Sequence, residues 1–572
     1  MHKCGQPLLK VTNVHRRPGF AAAFAGHPAS VAGRVHVIHG DLSLLECDVA
    51  VVPTDALLRI ERTWHGLVTE EEARAGAPQG WAGGPDARSA DLGRRDGRGP
   101  RRVLVEVATM GSEPVEWYVA GVRRALALAG RACRGDAGRC RPLLALPLVG
   151  TGLGGWAGRR GDLIPPLLDL LEEVAADDAD VVLVAYHRSD YAAVQAARAT
   201  RGGLPAPFEK HAERLASLAA GGELVPFIGA GVSAAAGLPA RWELLERVAE
   251  AGELLSDDER QDGRPREALR DSLRGLGALD AAELLRTVLG REAVEAVVRE
   301  VAAERHSLSH GLLASLRPRR AVTTNYDRLY ELASRRALAD RGGLAVLPWD
   351  ATDPQRSWLV KMHGDVARPD SIVLSRGDVV GFDATRKPLA SLLQAQMLTG
   401  HLLFVGSSMT DDAVVRLAWE VRELFRAWGA PVRVVGTVLG LREEPLRARL
   451  WEDVLTFVPL GRLATQDDGP GSEDPQGLLP VFLDRLAQLA SWERSFLLDP
   501  RYESMVADPL QDLRGSLVAL GEALRHLPPD ADPAVVEQAA AVLRSFGWDR
   551  AAARKSVSEP SGGSGAPPPD AG

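Results

Sequence analysis

Four short polar segments, each at the end of an apolar run, carry residues able to do chemistry. In Phe227-Ile-Gly-Ala-Gly-Val-Ser-Ala-Ala-Ala-Gly-Leu-Pro239 the run meets Gly229-Ala230-Gly231, with Ser233, Gly237 and Pro239 close behind. Glycines there permit a tight turn and let backbone N–H groups approach a phosphate. A helix starting at once adds free donors and positive dipole. No Gly-Lys-Ser/Thr follows, so the segment is not a P-loop. In Ala321-Val-Thr-Thr-Asn-Tyr-Asp327 a strand delivers Thr324, Asn325 and Asp327 to its carboxyl end, where open α/β sheets place ligands. In Lys361-Met-His363-Gly364-Asp365 a histidine follows the apolar run Trp358–Val360 and can serve as a general base. In Leu403-Phe-Val-Gly-Ser-Ser-Met-Thr-Asp-Asp412 the turn Gly406-Ser407-Ser408 precedes Thr410 and Asp411, either of which suits a helix cap. Taken singly, each segment also reads as packing or capping. Asp327 then caps a helix Arg328–Arg335, Asn325 lies in the turn, and His363 is a structural hydrogen-bonder.

The elements that must position these residues alternate between strand and helix. Val35–Ile38, Val49–Val52, Val103–Val107, Leu143–Val149 and Val181–Ala185 read as strands, with helices over Val115–Ala132 and Leu163–Ala176. The Gly/Arg/Asp-rich stretch from Gly83 to Arg102 reads as a loop by composition. A second series has strands at Leu224–Ile228, Ala321–Thr323, Leu402–Val405 and Val432–Val435, separated by helical pattern, and the charged stretch Ser256–Arg274 reads as solvated helix. The pattern predicts an α/β protein: an N-terminal α/β domain, a Rossmann-like domain with a parallel sheet, and a helical C-terminal extension. Expected boundaries are a disordered leader 1–30, a first domain 31–200, a linker 201–214, a second domain 215–465, a helical region 466–554 and a disordered tail 555–572.

Composition narrows the class. The 572 residues are 45% hydrophobic and 25% charged, with a formal net charge of −8 and both signs mixed throughout. That balance gives no electrostatic case for binding nucleic acid. No run approaches the roughly 18 apolar residues needed to cross a bilayer, so no membrane partner and a cytoplasmic location are expected. Cys4, Cys47, Cys133 and Cys140 are the only cysteines and form no Cys-x-x-Cys pair, which fits a reducing compartment and argues against a metal site.

In this order the four segments resemble the sirtuin superfamily: Gly-Ala-Gly-x-Ser with Gly-x-Pro, Thr-x-Asn-x-Asp, His-Gly, then Gly-Ser-Ser with a downstream Asp. The forms Thr-Thr-Asn-Tyr-Asp and Val-Gly-Ser-Ser-Met-x-Asp are similar to the bacterial sirtuin-like branch of anti-phage systems. The resemblance spans about Leu215 to Leu460 and implies NAD as substrate. It implies Asn325 and His363 as the catalytic pair. Gly229, Ala230, Gly231 and Ser233 would hold the dinucleotide phosphates, and Gly237, Pro239 and Thr324 would line the same site. Asp327 would face the nicotinamide ribose, Gly406 and Ser407 the adenosine side. Lysine-deacylating sirtuins carry a four-cysteine zinc ribbon after the histidine, and this chain has no cysteine beyond Cys140. Hydrolysis of NAD to nicotinamide and ADP-ribose is therefore the leading expectation, as an NAD-depleting effector of abortive infection.

The N-terminal part resembles macro domains, which bind ADP-ribose. Gly40-Asp41-Leu42 followed by Asp48-Val-Ala-Val-Val52 matches their opening, and Leu146-Pro-Leu-Val-Gly-Thr-Gly-Leu-Gly154 their phosphate loop. The resemblance implies Asp41 as adenine contact, with Gly150, Thr151, Gly152 and Gly154 around the phosphates. Pro53-Thr-Asp-Ala56 stands where such domains carry Asn-Ala-Ala-Asn, which favours a sensor of an ADP-ribose-type signal nucleotide over an ADP-ribosyl hydrolase. A purely structural α/β unit stays open. A homo-oligomer is expected. Two alternatives to the hydrolase remain, an NAD-dependent protein deacylase or ADP-ribosyltransferase and a non-catalytic NAD/ADP-ribose-binding assembly protein.

Overall fold

The computed structural model describes residues 33–81, 88–108, 113–133, 141–152, 154–176, 179–251, 263–300, 303–407, 409, 411–429, 433–463, 475–528 and 531–548. The expected leader and tail lie outside the described residues, as do Cys4, Cys140, Ser408, Thr410 and the start of the Val432–Val435 run.

Two sheets organise the chain. The first contains β1 (Val35–His39), β2 (Val49–Asp55), β3 (Ser89–Arg95), β4 (Arg98–Ala108), β5 (Leu143–Pro147) and β6 (Asp180–Ala185), in the order β1-β6-β5-β2-β4-β3. Every pairing is parallel except β3 with β4. The second contains β7 (Leu224–Ile228), β8 (Arg320–Thr323), β9 (Leu344–Leu347), β10 (Ser357–Lys361), β11 (His401–Val405), β12 (Gly436–Gly440) and β13 (Leu455–Pro459). Its order is β13-β12-β11-β7-β8-β10-β9, parallel throughout. β5, β7 and β11 are buried at every residue, as strands covered by helices on both faces must be. The α/β class read from the sequence is the class observed.

Three local expectations are corrected. Of the stretch expected as a loop from Gly83 to Arg102, residues 83–87 lie outside the described residues and the rest is largely a hairpin. Asp96 and Gly97 both adopt positive φ (50° and 69°), the requirement of a two-residue turn matched to strand twist. Its charges lie in pairs, Arg101 with Asp91 at 2.6 Å and Arg95 with Glu72 at 2.6 Å, so composition alone hid the strands. The expected linker 201–214 is helical from Ala206, within a helix Ala206–Ala220 that buries Phe208, Ala212 and Leu215. The strand expected at Val432–Val435 begins instead at Gly436. A Cβ there would stand 2.8 Å from the Leu402 carbonyl oxygen, so a glycine lets β12 approach β11.

One apolar core spans the two sheets. It joins Ile38, Leu45 and Val184 to Leu215, Leu312, Tyr330 and Phe482. The helix Leu308–Ser315 is buried at all eight residues and lies against β1. The C-terminal helices are Pro475–Ala490, Asp508–Arg525 and Pro533–Ser545. The first of these anchors to the first sheet: Asp484 accepts a hydrogen bond from the Val37 N–H at 2.9 Å and pairs with Arg198 at 2.6 Å. Among the described residues no helix is long and apolar enough to cross a membrane.

Candidate active site at the carboxyl end of the second sheet

β7 runs between β8 and β11, so the chain leaves it toward one side and returns on the other. Such a reversal opens a crevice at the carboxyl ends of the strands. Here two glycine turns interlock. The Gly229 N–H donates to the Val405 carbonyl and the Gly231 N–H to the Gly406 carbonyl, both at 2.9 Å. A Cβ on Gly229 would stand 2.4 Å from the Gly406 carbonyl oxygen, and one on Gly406, itself at φ 64°, 2.5 Å from the Val232 nitrogen. These glycines serve the close approach of two turns, and the N–H groups of Gly229 and Gly231 are already engaged.

The interlock fixes the helix Ala230–Ala234 and aims Ser233 at the end of β8. Its hydroxyl donates to Asp327 Oδ2 at 2.7 Å and accepts from Asn325 Nδ2 at 3.0 Å. Thr323 Oγ1 donates to the Ile228 carbonyl at 2.8 Å and accepts the Asn325 N–H at 3.0 Å, tying the turn to its neighbouring strand. Asp327 Oδ1 accepts the Leu329 N–H at 3.0 Å in the turn that leads into the helix Leu329–Ala337, whose N-cap is Arg328 rather than the expected Asp327. A cleft open to solvent lies in front of this group. Ala230, Ser233, Pro239, Thr324, Asn325 and Asp327 line it, together with Arg241, Tyr326 and the apolar Leu244, Val298 and Leu374. Gly237, at φ 80°, turns the chain toward Pro239.

His363 sits at the end of β10, buried, edge-on to Phe382. Its Nε2 is 3.5 Å from Asp411 Oδ2, while its Nδ1 is buried without a hydrogen-bond partner. Burial pushes its pKa below the usual histidine value; Asp411 opposes that, and Arg241 and Arg386 reinforce it. His363 is not among the residues lining the cleft, nor is Ser407, whose Oγ accepts the Met409 N–H at 3.4 Å within its own turn. Asp411 also caps the helix Asp412–Ala427 by accepting the Val414 N–H at 3.2 Å.

Sequence reasoning missed three groups. Lys361 is fully buried; its Nζ reaches the carbonyls of Tyr326 and Asp327, Glu331 Oε1 at 3.1 Å and Asp365 Oδ2 at 2.9 Å. It thereby joins the turn after Asn325 to the turn after His363. Its place two residues before the histidine was the available signal. Arg241 lies two residues beyond Pro239, and its charge acts on both His363 and Tyr326. The Tyr326 hydroxyl donates to the Val373 carbonyl at 2.8 Å, and burial pushes its pKa up to about 12. Among the described residues no group of three or more His, Cys, Asp or Glu side chains is placed to hold a metal ion.

The residues expected around a ligand on the first sheet are differently arranged. Asp41 caps the short turn Leu42–Leu44, its Oδ1 accepting from the Ser43 N–H at 2.9 Å and Oγ at 2.7 Å. Gly150, at φ 77°, faces the Tyr118 ring, and a Cβ on Gly152 would meet the Glu61 carboxylate at 2.3 Å. Thr151 Oγ1 donates to the Leu148 carbonyl at 2.6 Å. The Thr151 carbonyl accepts from Arg160 at 2.9 Å, and Arg160 pairs with Asp190 at 2.9 Å. A Cβ on Gly154 would stand 2.5 Å from the Gly150 carbonyl oxygen.

Comparison with known proteins places the second sheet. The family model of a SIR2-like domain matches residues 319–455. The chain is 24% identical over 208 residues to defense-associated sirtuin 2 of Bacillus subtilis, covering 36% of this chain and 20% of that protein. It is 34% identical over 125 residues to the NAD(+) hydrolase ThsA of Enterococcus faecium, covering 21% and 26%. Against the NAD(+) hydrolase ThsA of Cytobacillus dafuensis the identity is 28% over 206 residues, covering 35% and 38%. The chain thus spans well under half the length of these relatives. A macrodomain mutant from Oceanobacillus iheyensis aligns with 28% of this chain and 88% of its own at 12% identity, with a TM-score of 0.21. Through residues 319–455, which hold Asn325, Asp327, His363, Gly406 and Asp411, the chain carries a SIR2-like domain.

Proposed function

We propose that this protein hydrolyses NAD to nicotinamide and ADP-ribose, and that it acts as a cytoplasmic, homo-oligomeric, NAD-depleting effector of anti-phage defence. The observation that carries the reading is the Asn325–Ser233–Asp327 group, hydrogen-bonded at the floor of a cleft at the sheet's reversal point. The SIR2-like match and the NAD(+) hydrolases similar to it support the choice of substrate. Breaking the N-glycosidic bond gives the ribose carbon oxocarbenium character. Asn325, held by Ser233, orients the ribose or the attacking water, and His363 accepts the proton. Ala230, Ser233, Pro239, Thr324 and Asp327 are the contacts proposed for the dinucleotide, with Arg241 added as an anion-binding cation. Gly229, Gly231, Gly237, Gly406 and Ser407 shape the turns behind them.

Regulation by an ADP-ribose-type nucleotide at Asp41 and Gly150–Gly154 is part of the proposal. It is supported by a hydrogen-bonded path between the sheets. The His306 N–H donates to the Leu44 carbonyl at 2.8 Å, and its carbonyl accepts the Glu46 N–H at 2.9 Å. Ser307 Oγ then donates to the Val232 carbonyl at 2.9 Å, next to Ser233.

The test is nicotinamide release by purified protein, with products identified by mass spectrometry. Asn325→Ala is expected to lower the rate by about 100-fold or more, the scale of losing one oriented polar group in a site. Wild-type turnover in that variant would remove Asn325 from the chemistry. Transfer of acyl or ADP-ribosyl groups to protein, or NAD binding without turnover in fully activated protein, would replace the hydrolase reading.

A further inference from the structure

We infer that Asp411 is a positioning residue for His363, a role resting on the NAD-cleavage reading above. Asp411 stands at the start of the helix Asp412–Ala427, and its two carboxylate oxygens face different ways. Oδ1 accepts the Val414 N–H at 3.2 Å and closes the helix end. Oδ2 lies 3.5 Å from Nε2 of His363, longer than a good hydrogen bond and within ion-pair range. The imidazole is buried and has Phe382 edge-on, so rotation of the ring is restricted. A carboxylate beside Nε2 selects the tautomer that carries its proton on Nε2. That leaves the lone pair on Nδ1, which is buried and has no partner. Asp411 stabilises the imidazolium that forms when His363 takes the proton in the proposed reaction. Two cations, Arg241 and Arg386, also act on the ring and disfavour that imidazolium; Asp411 is the anion set against them. The cap anchors the carboxylate to a helix, so the backbone that ends β11 holds the histidine of β10 in register.

Asp411→Asn separates the two oxygens' work, because asparagine caps helices as well as aspartate does. The melting temperature is expected to stay within about 2 °C of wild type while kcat for nicotinamide release falls by about tenfold or more with KM little changed. The acid limb of the kcat profile should move to lower pH, since removing the carboxylate lowers the His363 pKa further. Asp411→Ala should lose the cap as well and melt earlier. Histidine ¹⁵N shifts, with His363 assigned by its loss in His363→Asn, should show the Nε2-protonated tautomer in wild type and a mixture in Asp411→Asn. Wild-type kcat and pH profile in Asp411→Asn, or one tautomer in both proteins, overturns the role of Asp411 and leaves NAD cleavage standing. Absence of NAD cleavage by wild type overturns the hydrolase reading, and the tautomer measurement then decides the Asp411–His363 contact by itself.

Discussion

The turn after β5 and the turn after β7 both follow a buried parallel strand, and both are spaced with glycines as if to cradle a phosphate. They are filled in different ways. After β5, Gly150 makes room for the Tyr118 ring, Gly152 for the Glu61 carboxylate, and Gly154 for the turn's own Gly150 carbonyl. After β7, Gly229 and Gly231 make room for the backbone of Gly406 on the neighbouring strand, and a polar group projects beyond them into a cleft. Glycine spacing therefore reports that something approaches closely and is silent on what does. Where side chains fill the space, a ligand must displace them. Where backbone fills it, the turn is rigid and the next residues, here Ser233 and its partners, are presented to the open side.

The largest expected effect exploits that difference. Gly229→Ala puts a Cβ 2.4 Å from the Gly406 carbonyl oxygen, backbone that cannot turn aside. Overpacking of that kind costs about 3 kcal/mol or more and should strip the protein of nicotinamide release. Gly152→Ala meets Glu61 Oε1 at 2.3 Å, the far end of a side chain rather than backbone. Its cost should stay below about 1 kcal/mol. Chemical denaturation of the two variants side by side measures the gap, and equal midpoints would erase the distinction between the two turns.

How much of this was legible depended on the range of the interactions. The central strands of the second sheet were visible because covered parallel strands are unbroken apolar runs: Leu224–Ile228 was read with the bounds it has. Its edge strands, Leu344–Leu347 and Leu455–Pro459, are short and only partly buried and left no such trace. The hairpin at Ser89–Ala108 hid behind charges such as Arg101 and Asp91, which pair across it, although Asp96-Gly97 was a turn signal in plain view. At the candidate site, residue types at the strand ends pointed to Asn325, Asp327 and His363. The use of Lys361 and Asp411 depends on contacts between residues roughly 30 to 50 positions apart in sequence, which local pattern does not record.

A second prediction tests whether the two turns belong to one cooperative body. His306 joins the sheets, and burial holds its pKa down to about 4; His39 on β1 is held at about 3 by burial and by Arg317. In the unfolded chain each takes a proton near 6.5. Their contribution to stability is therefore complete above pH 6.5 and is lost as pH falls toward the folded values. For His306 the loss reaches roughly 3 kcal/mol below pH 4. The melting temperature should hold from pH 7.5 to about 6.5 and fall from there to pH 5 as a single transition, and His306→Gln should flatten that slope. Two transitions at either pH would show that the turns sit in independently folding bodies and that the path between them carries nothing.

The smallest effect sharpens the comparison from the other side, by emptying the filled turn. Glu61→Gln keeps the side chain's length and removes the negative charge beside Gly152, so an incoming diphosphate no longer meets a carboxylate. ADP-ribose affinity should improve by about tenfold, the effect of roughly 1.4 kcal/mol. Calorimetry on the full chain reads this, in an Asn325→Ala background that keeps NAD turnover out of the measurement. A gain abolished by competing NAD would place the nucleotide in the second cleft and leave the first turn structural. If the gain is independent of NAD chemistry, coupling between the sheets must be mutual: ADP-ribose that favours the cleaving state is itself bound more tightly when a non-cleavable NAD analogue occupies the cleft, by the same factor. Ser307→Ala removes the hydrogen bond to Val232 that connects the two. It should abolish that factor while leaving each ligand's own affinity in place, and an undiminished factor would move the coupling away from the Leu44–His306–Ser307–Val232 path.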